Sequence, residues 1–230
     1  MTAYAPTLST SEAASIRVPF GRARQWIVGA TLAVAAVVVG VVLLFRPWPA
    51  RNSFLYADLA PVRDGIWAAI FIDALAFAGI AISLSLAVGM LVRTRGAALA
   101  NVGAIVTILG GILFAIGAFA FAAFTWYATD PTALSPESGA RLLEYAVANP
   151  EHVMIPQMLG FLLYTLGTLI LAGALLRSKA VPRWLPILII AGTVAQFVLE
   201  QRALDLAQVA LMGVLILLAA QLFRSGAVSR

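Results

Sequence analysis

Cysteine is absent from this sequence of 230 residues, histidine and lysine each occur once, and only 11% of the residues are charged. Each scarcity removes a class of chemistry. Without cysteine there is no disulfide, thiolate metal site, iron–sulfur ligation or thiol nucleophile. One histidine, His152, cannot supply paired haem ligands or a conventional His/Cys zinc site. The sequence also has no Walker motif, no dinucleotide glycine fingerprint after a strand and no G-x-S-x-G elbow. We therefore expect no metal and no cofactor, and catalysis only by a route that uses carboxylates alone.

What the chain has instead is apolar length. Hydrophobic residues make up 62% of it, whereas a soluble domain carries roughly a quarter of its residues as Asp, Glu, Lys and Arg. Runs of about twenty apolar residues are long enough to cross a hydrocarbon core. The runs fall at about 26–45, 66–92, 100–128, 155–176, 184–199 and 204–223, which predicts an all-α, polytopic bundle of six transmembrane helices. The first run is longer than a signal-peptide core and no clear cleavage site follows it, so it reads as an uncleaved helix behind a cytoplasmic arm, 1–25. The fifth run is short and begins near Pro186, which keeps a re-entrant pair open for the last two runs.

Charge decides the orientation. The formal net charge is +5, and in a membrane protein a basic excess marks cytoplasmic loops rather than a nucleic-acid surface. Six crossings with both termini inside put Arg17, Arg22, Arg24, Arg93, Arg95, Arg177, Lys179, Arg183, Arg224 and Arg230 in the cytoplasm. Only Arg46, Arg51, Arg63, Arg141 and Arg202 stay outside, and 224–230 becomes a cytoplasmic tail. Trp26, Trp48, Trp67, Trp126, Tyr127 and Trp184 all lie near run ends, where amphipathic rings prefer the headgroup layer.

Glycines recur every seven residues in the third run, at Gly103, Gly110 and Gly117, and in the fourth, at Gly160 and Gly167. That spacing clears a groove for close helix approach, with permeation or hinge motion as the functional counterpart. Between the third and fourth runs, Ser135-Pro136-Glu137 opens a short helix with a capping hydroxyl, a first-turn proline and an acid at the positive end of the dipole. Leu142, Leu143, Ala146 and Val147 share one face of it, which predicts an amphipathic helix in the outer loop. The second and fourth runs end alike, and an ungapped alignment of the two pairs Phe77 with Phe161 and Asp73 with Gln157, as a duplicated hairpin would, although glycine, leucine and a basic stop are also what many helices show at a cytoplasmic end.

Polar positions inside the runs are the functional candidates, because an ionisable group in hydrocarbon is costly unless it faces water or a partner. Asp73 lies about two turns inside the second run, Asp205 and Gln208 share a face of the sixth, and Gln157 and Gln196 fall at comparable depth. Asp73, Gln157, Asp205 and Gln208 are read as ligand-binding residues of one outward-facing polar pocket, with Arg63, His152 and Arg202 at its rim. The structural alternatives are that Asp73 pairs with an arginine or bonds to a neighbouring helix, that Asp205 is interfacial and that His152 is an exposed loop residue.

The stretch Leu175-Leu176-Arg177-Ser178-Lys179-Ala180-Val181-Pro182-Arg183-Trp184 resembles the corresponding loop of small uncharacterised bacterial multi-helix membrane proteins, among them a family known only as a domain of unknown function. The resemblance covers mainly the fourth and fifth helices. It implies a bacterial cytoplasmic membrane and supplies no activity and no catalytic residue. The expected role is a non-catalytic binding or accessory subunit, with a small-molecule transporter and an intramembrane enzyme using carboxylates as alternatives. Its expected partners are the lipid bilayer and either a larger membrane protein or further copies of itself, and not nucleic acid.

Overall fold

Long stretches of leucine, isoleucine, valine and alanine satisfy every backbone hydrogen bond internally when helical, which is the requirement hydrocarbon imposes. The computed structural model describes residues 21–45, 54–152 and 154–227, and no strand occurs among them. The elements are α1 (Gly21–Phe45), α2 (Tyr56–Leu59), α3 (Arg63–Leu91), α4 (Ala97–Ala128), α5 (Pro136–Ala148), α6 (Met154–Ser178), α7 (Trp184–Ala195) and α8 (Gln201–Ala227). A 3-10 turn, Ala60–Val62, joins α2 to α3, and another, Pro150–His152, precedes α6. Pro136, Pro156 and Pro186 all sit in the first turn of their helices, where a missing N–H breaks no intrahelical bond.

Five helices are long and apolar enough to cross a membrane: Gly21–Phe45, Tyr56–Leu91, Ala97–Ala128, Met154–Ser178 and Arg202–Arg224. This fits a multi-pass membrane protein. The fifth apolar run is helical only over Trp184–Ala195, 12 residues, or about 18 Å against a hydrocarbon core of about 30 Å. Beyond it the bonding tightens into i→i+3 turns, with Phe197 N–H donating to Val194 O at 3.0 Å and Val198 N–H to Ala195 O at 3.2 Å. Hydropathy stays high through 199, and so the run looks longer than the helix it forms.

The six apolar helices close a ring in the order α1, α3, α4, α6, α7, α8, with α8 returning to α1, and α4 against α6 is the most extensive interface. Small residues set its closeness. A Cβ at Gly110 would strike the backbone of α6, at Tyr164 N and at 2.8 Å from Gly160 O, and one at Gly117 would lie 2.6 Å from Gln157 N. Gly160 and Gly167 meet α4 in the same way, at Phe114 N and Thr107 N. The heptad glycines are thus packing positions. The interior is filled by residues such as Leu32, Ile80, Leu171, Leu185 and Leu218, while Val34, Ile105, Leu162 and Leu217 on the same helices point outward. Such an outward face suits acyl chains rather than water.

Neighbouring helices run antiparallel: Gly29 faces Phe223 while Gly40 faces Met212, and Gly111 faces Ala81 while Ser85 Oγ donates to Ala104 O. Arg22, Arg24, Arg93, Arg95, Arg177, Lys179, Arg183 and Arg224 therefore gather at one end of the bundle. The turn at that end between α3 and α4 passes through Gly96 at φ 92°, and Ala174 O lies 3.0 Å from where its Cβ would be. Only glycine takes both that backbone and that approach without strain.

The opposite end is tied by a charged knot. Arg63 Nη1 lies 3.1 Å from Asp130 Oδ1 and donates to Thr129 O at 3.3 Å, and its guanidinium carbon stands 5.2 Å from the Trp126 ring centre. Trp126 Nε1 donates to Asp64 Oδ1 at 2.7 Å. Helix α5 packs beside this knot on α4 and α2. The Ser135 hydroxyl accepts from Ser138 N–H at its start, and α5 buries Leu143 and Ala146 while Leu142 and Val147 stay exposed.

Asp130 titrates below its ordinary value of 3.8, because the Thr132 N–H and hydroxyl both donate to its carboxylate at 2.9 Å, with Arg63 adding to their effect. The folded carboxyl is more acidic than the unfolded one. Its contribution to stability is therefore complete above the unfolded value and is lost as pH falls through the folded one. A pH series of thermal unfolding should show a stability loss below about pH 3.8 that Asp130→Asn lacks. Identical acid profiles would remove Asp130 from this role.

Candidate functional site

At the centre of the ring is a cavity of about 150 Å³ to which all six apolar helices contribute. Its polar lining is Asp73 from α3, Gln196 from the end of α7 and Gln208 from α8. Its aromatic lining is Phe77, Phe114, Phe161 and Tyr164 from α3, α4 and α6. The rings are packed against one another, with Phe77 4.3 Å from both Phe114 and Tyr164, centre to centre, and Phe114 6.5 Å from Phe161. Val39, Leu43, Leu211 and Met212 complete the wall.

Local sequence explains why these side chains meet. Asp73 and Phe77 are four residues apart on one face of α3, and Phe161 and Tyr164 are three apart on α6. Gln196 arrives differently. It is the C-cap of α7, still at helical φ −64° and ψ −18°, so the last turn of α7 brings its amide to the cavity.

Asp73 Oδ1 is shielded from solvent, and Asp73 is engaged in an interaction rather than free. A site of this kind accepts hydrogen bonds through carboxylate and amide oxygens, and it is lined by aromatic rings, whose quadrupoles attract cations. Its size matches a molecule about as large as benzene.

Next to it, a cleft of about 490 Å³ is lined by Phe54, Phe121, Met154, Gln157, Met158, Leu162 and Phe197 and shares Phe114 and Phe161 with the cavity. Those two rings line both the small cavity, with its three polar side chains, and the larger, more apolar cleft.

The sequence-derived set is thus divided. Asp73 and Gln208 line the central cavity together, Gln157 lines the adjoining cleft, and Asp205 lies three residues before Gln208 on α8, outside the lining residues. Arg63 is held in the knot with Asp130 and Trp126, and Arg202 is exposed in the first turn of α8. His152 ends the turn before α6, and its side chain lies outside the described residues, as do Arg46, Arg51 and the arm 1–20.

The aromatic wall was not foreseen from the sequence. Its one signal was the alignment that paired Phe77 with Phe161, both of which line the cavity. Comparison with protein-family models, with curated proteins and with solved structures finds no match to the chain.

Proposed function

We propose that this is a six-segment membrane protein with both termini in the cytoplasm of a bacterium, and that it binds a small molecule in the central cavity without transforming it. The observation that carries the reading is the meeting of Asp73, Gln196 and Gln208, from three helices, with four aromatic rings in one chamber. A carboxyl group and aromatic rings lining one cavity suit a compact ammonium cation, held by charge and by cation–π attraction. Asp73 is already engaged, so a ligand joins or exchanges with that contact. Catalysis by paired carboxylates is the weakest reading, because Asp205 is not among the lining residues. A larger membrane partner remains part of the accessory-subunit reading, and co-purification under gentle crosslinking tests it.

The probe is tetramethylammonium, titrated against the purified full chain with thermal unfolding as readout. At a hundredfold excess over Kd, binding stabilises the native state by about 2.7 kcal/mol. We expect the wild type to be stabilised, and Asp73→Asn to accumulate normally but lose the effect. No stabilisation of the wild type, or equal stabilisation of the variant, would count against the site. Poor accumulation of Asp73→Asn would make Asp73 a structural lock.

Transport is the second reading, and the early end of α7 within its apolar run favours it. Helix termini beside a polar site are a recurring feature of alternating-access transporters, and here α7 ends at a lining residue, Gln196. It predicts substrate-dependent flux in liposomes that Asp73→Asn abolishes.

Orientation is tested separately. Single cysteines at Ser138 and Ser178 should react with an impermeant maleimide in intact cells at Ser138 only, and at Ser178 after lysis. Equal labelling of both in intact cells would overturn the arrangement.

A further inference from the structure

At the basic end of the bundle a groove of about 470 Å³ lies on α3, between α1 and α4. We infer that it is a binding site for the headgroup of an anionic glycerophospholipid. Two guanidiniums line it, Arg24 from α1 and Arg93 from the end of α3, and among the described residues neither forms an ion pair. Both side chains are exposed, so their charge is available to a ligand. Gln25 and Asn101 add amide donors, and among the described residues no acidic side chain lines the groove. Two guanidiniums with flanking amides match the oxygens of a phosphodiester.

The rest of the groove is shaped for a lipid rather than for a free ion. Leu86 and Ile108 continue it toward the middle of the bundle as an apolar track. Its floor is cleared by Gly89, where an added Cβ would meet nothing within 4 Å. A phosphate group at the arginines therefore leaves room for an acyl chain beside the apolar track. The site is separate from the central cavity, since the two share no lining residue.

Gly89 also separates binding from folding. Leucine at 89 would occupy the groove without striking a neighbour at Cβ, whereas Arg24→Gln with Arg93→Gln removes the charge and leaves the space open. The experiment measures thermal stabilisation of the purified full chain by phosphatidylglycerol in mixed micelles, by phosphatidylcholine in the same micelles, and by inorganic phosphate alone.

Phosphatidylglycerol should stabilise the wild type well beyond phosphatidylcholine, and inorganic phosphate should not reproduce the effect. The double arginine variant should bind roughly thirtyfold more weakly, from the loss of two charges near an anionic headgroup. Gly89→Leu should unfold like the wild type without lipid and lose the lipid response. A charge-matched control, Arg177→Gln with Arg183→Gln, should keep it.

Equal responses to the two lipids, saturation by inorganic phosphate, an unchanged response in Gly89→Leu, or an equal loss in the charge-matched control would each overturn the site.

Discussion

Replacing Gly110 with leucine is expected to dismantle the α4–α6 interface, lowering accumulation in membranes and thermal stability together. A Cβ there meets the backbone of α6, at Tyr164 N, at 2.7 Å from Leu163 C and at 2.8 Å from Gly160 O. Backbone cannot rotate out of the way as a side-chain tip can. Overpacking of a core costs about 1–3 kcal/mol when side chains give, so this variant should reach about 3 kcal/mol or more. Gly160→Leu should behave alike, since its Cβ would meet Phe114 N and lie 2.8 Å from Gly110 O. Gly173→Leu on the same helix is the control, because nothing lies within 4 Å of its Cβ. If thermal unfolding in detergent fails to separate Gly110→Leu from Gly173→Leu, α4 and α6 are not packed as described.

Phe114→Ala should join the two chambers at a cost in stability. The Phe114 ring lies 4.3 Å from Phe77 and 6.5 Å from Phe161, and it belongs to the wall of both the cavity of about 150 Å³ and the cleft of about 490 Å³. Truncating a core phenylalanine to alanine costs about 3–5 kcal/mol. Partial burial of this ring places the expected loss near the lower end, about 3 kcal/mol.

The functional consequence is a change in size selectivity. Tetrabutylammonium is too bulky for the wild-type cavity and should stabilise the variant more than the wild type, while tetramethylammonium loses its advantage. Unchanged selectivity would show that Phe114 does not divide the two spaces. Loss of stability without any response to either cation would argue that the aromatic wall is packing alone.

Much of the architecture was legible in the residues. Length and apolarity of the runs located α1, α3, α4, α6, α7 and α8 to within a few residues at most ends, because hydrocarbon leaves a long apolar segment no alternative to helix. The heptad glycines could be read as a packing groove because only glycine lets two backbones meet, and Gly110 against Gly160 does so. Ser135 and Pro136 announced α5 through local capping chemistry that needs no tertiary information. Asp73 stood out because a carboxylate among apolar residues has an energetic cost that demands an explanation.

Tertiary structure alone decided which of those positions belong together. The sequence assigns a common depth to Asp73, Gln157, Asp205 and Gln208, but rotation of each helix is set by its packing. That rotation joins Asp73 and Gln208 to Gln196 and turns Gln157 into the next cleft. Arg63 had the charge for a rim residue, yet Asp130 and Trp126, more than sixty positions away along the chain, hold it in another contact. The aromatic wall was invisible for a related reason: a phenylalanine in an apolar run looks the same whether it faces lipid or a cavity. Composition determined that the chain is a bundle of apolar helices, because burial in lipid depends on each segment by itself. The chamber at its centre depends on six segments at once.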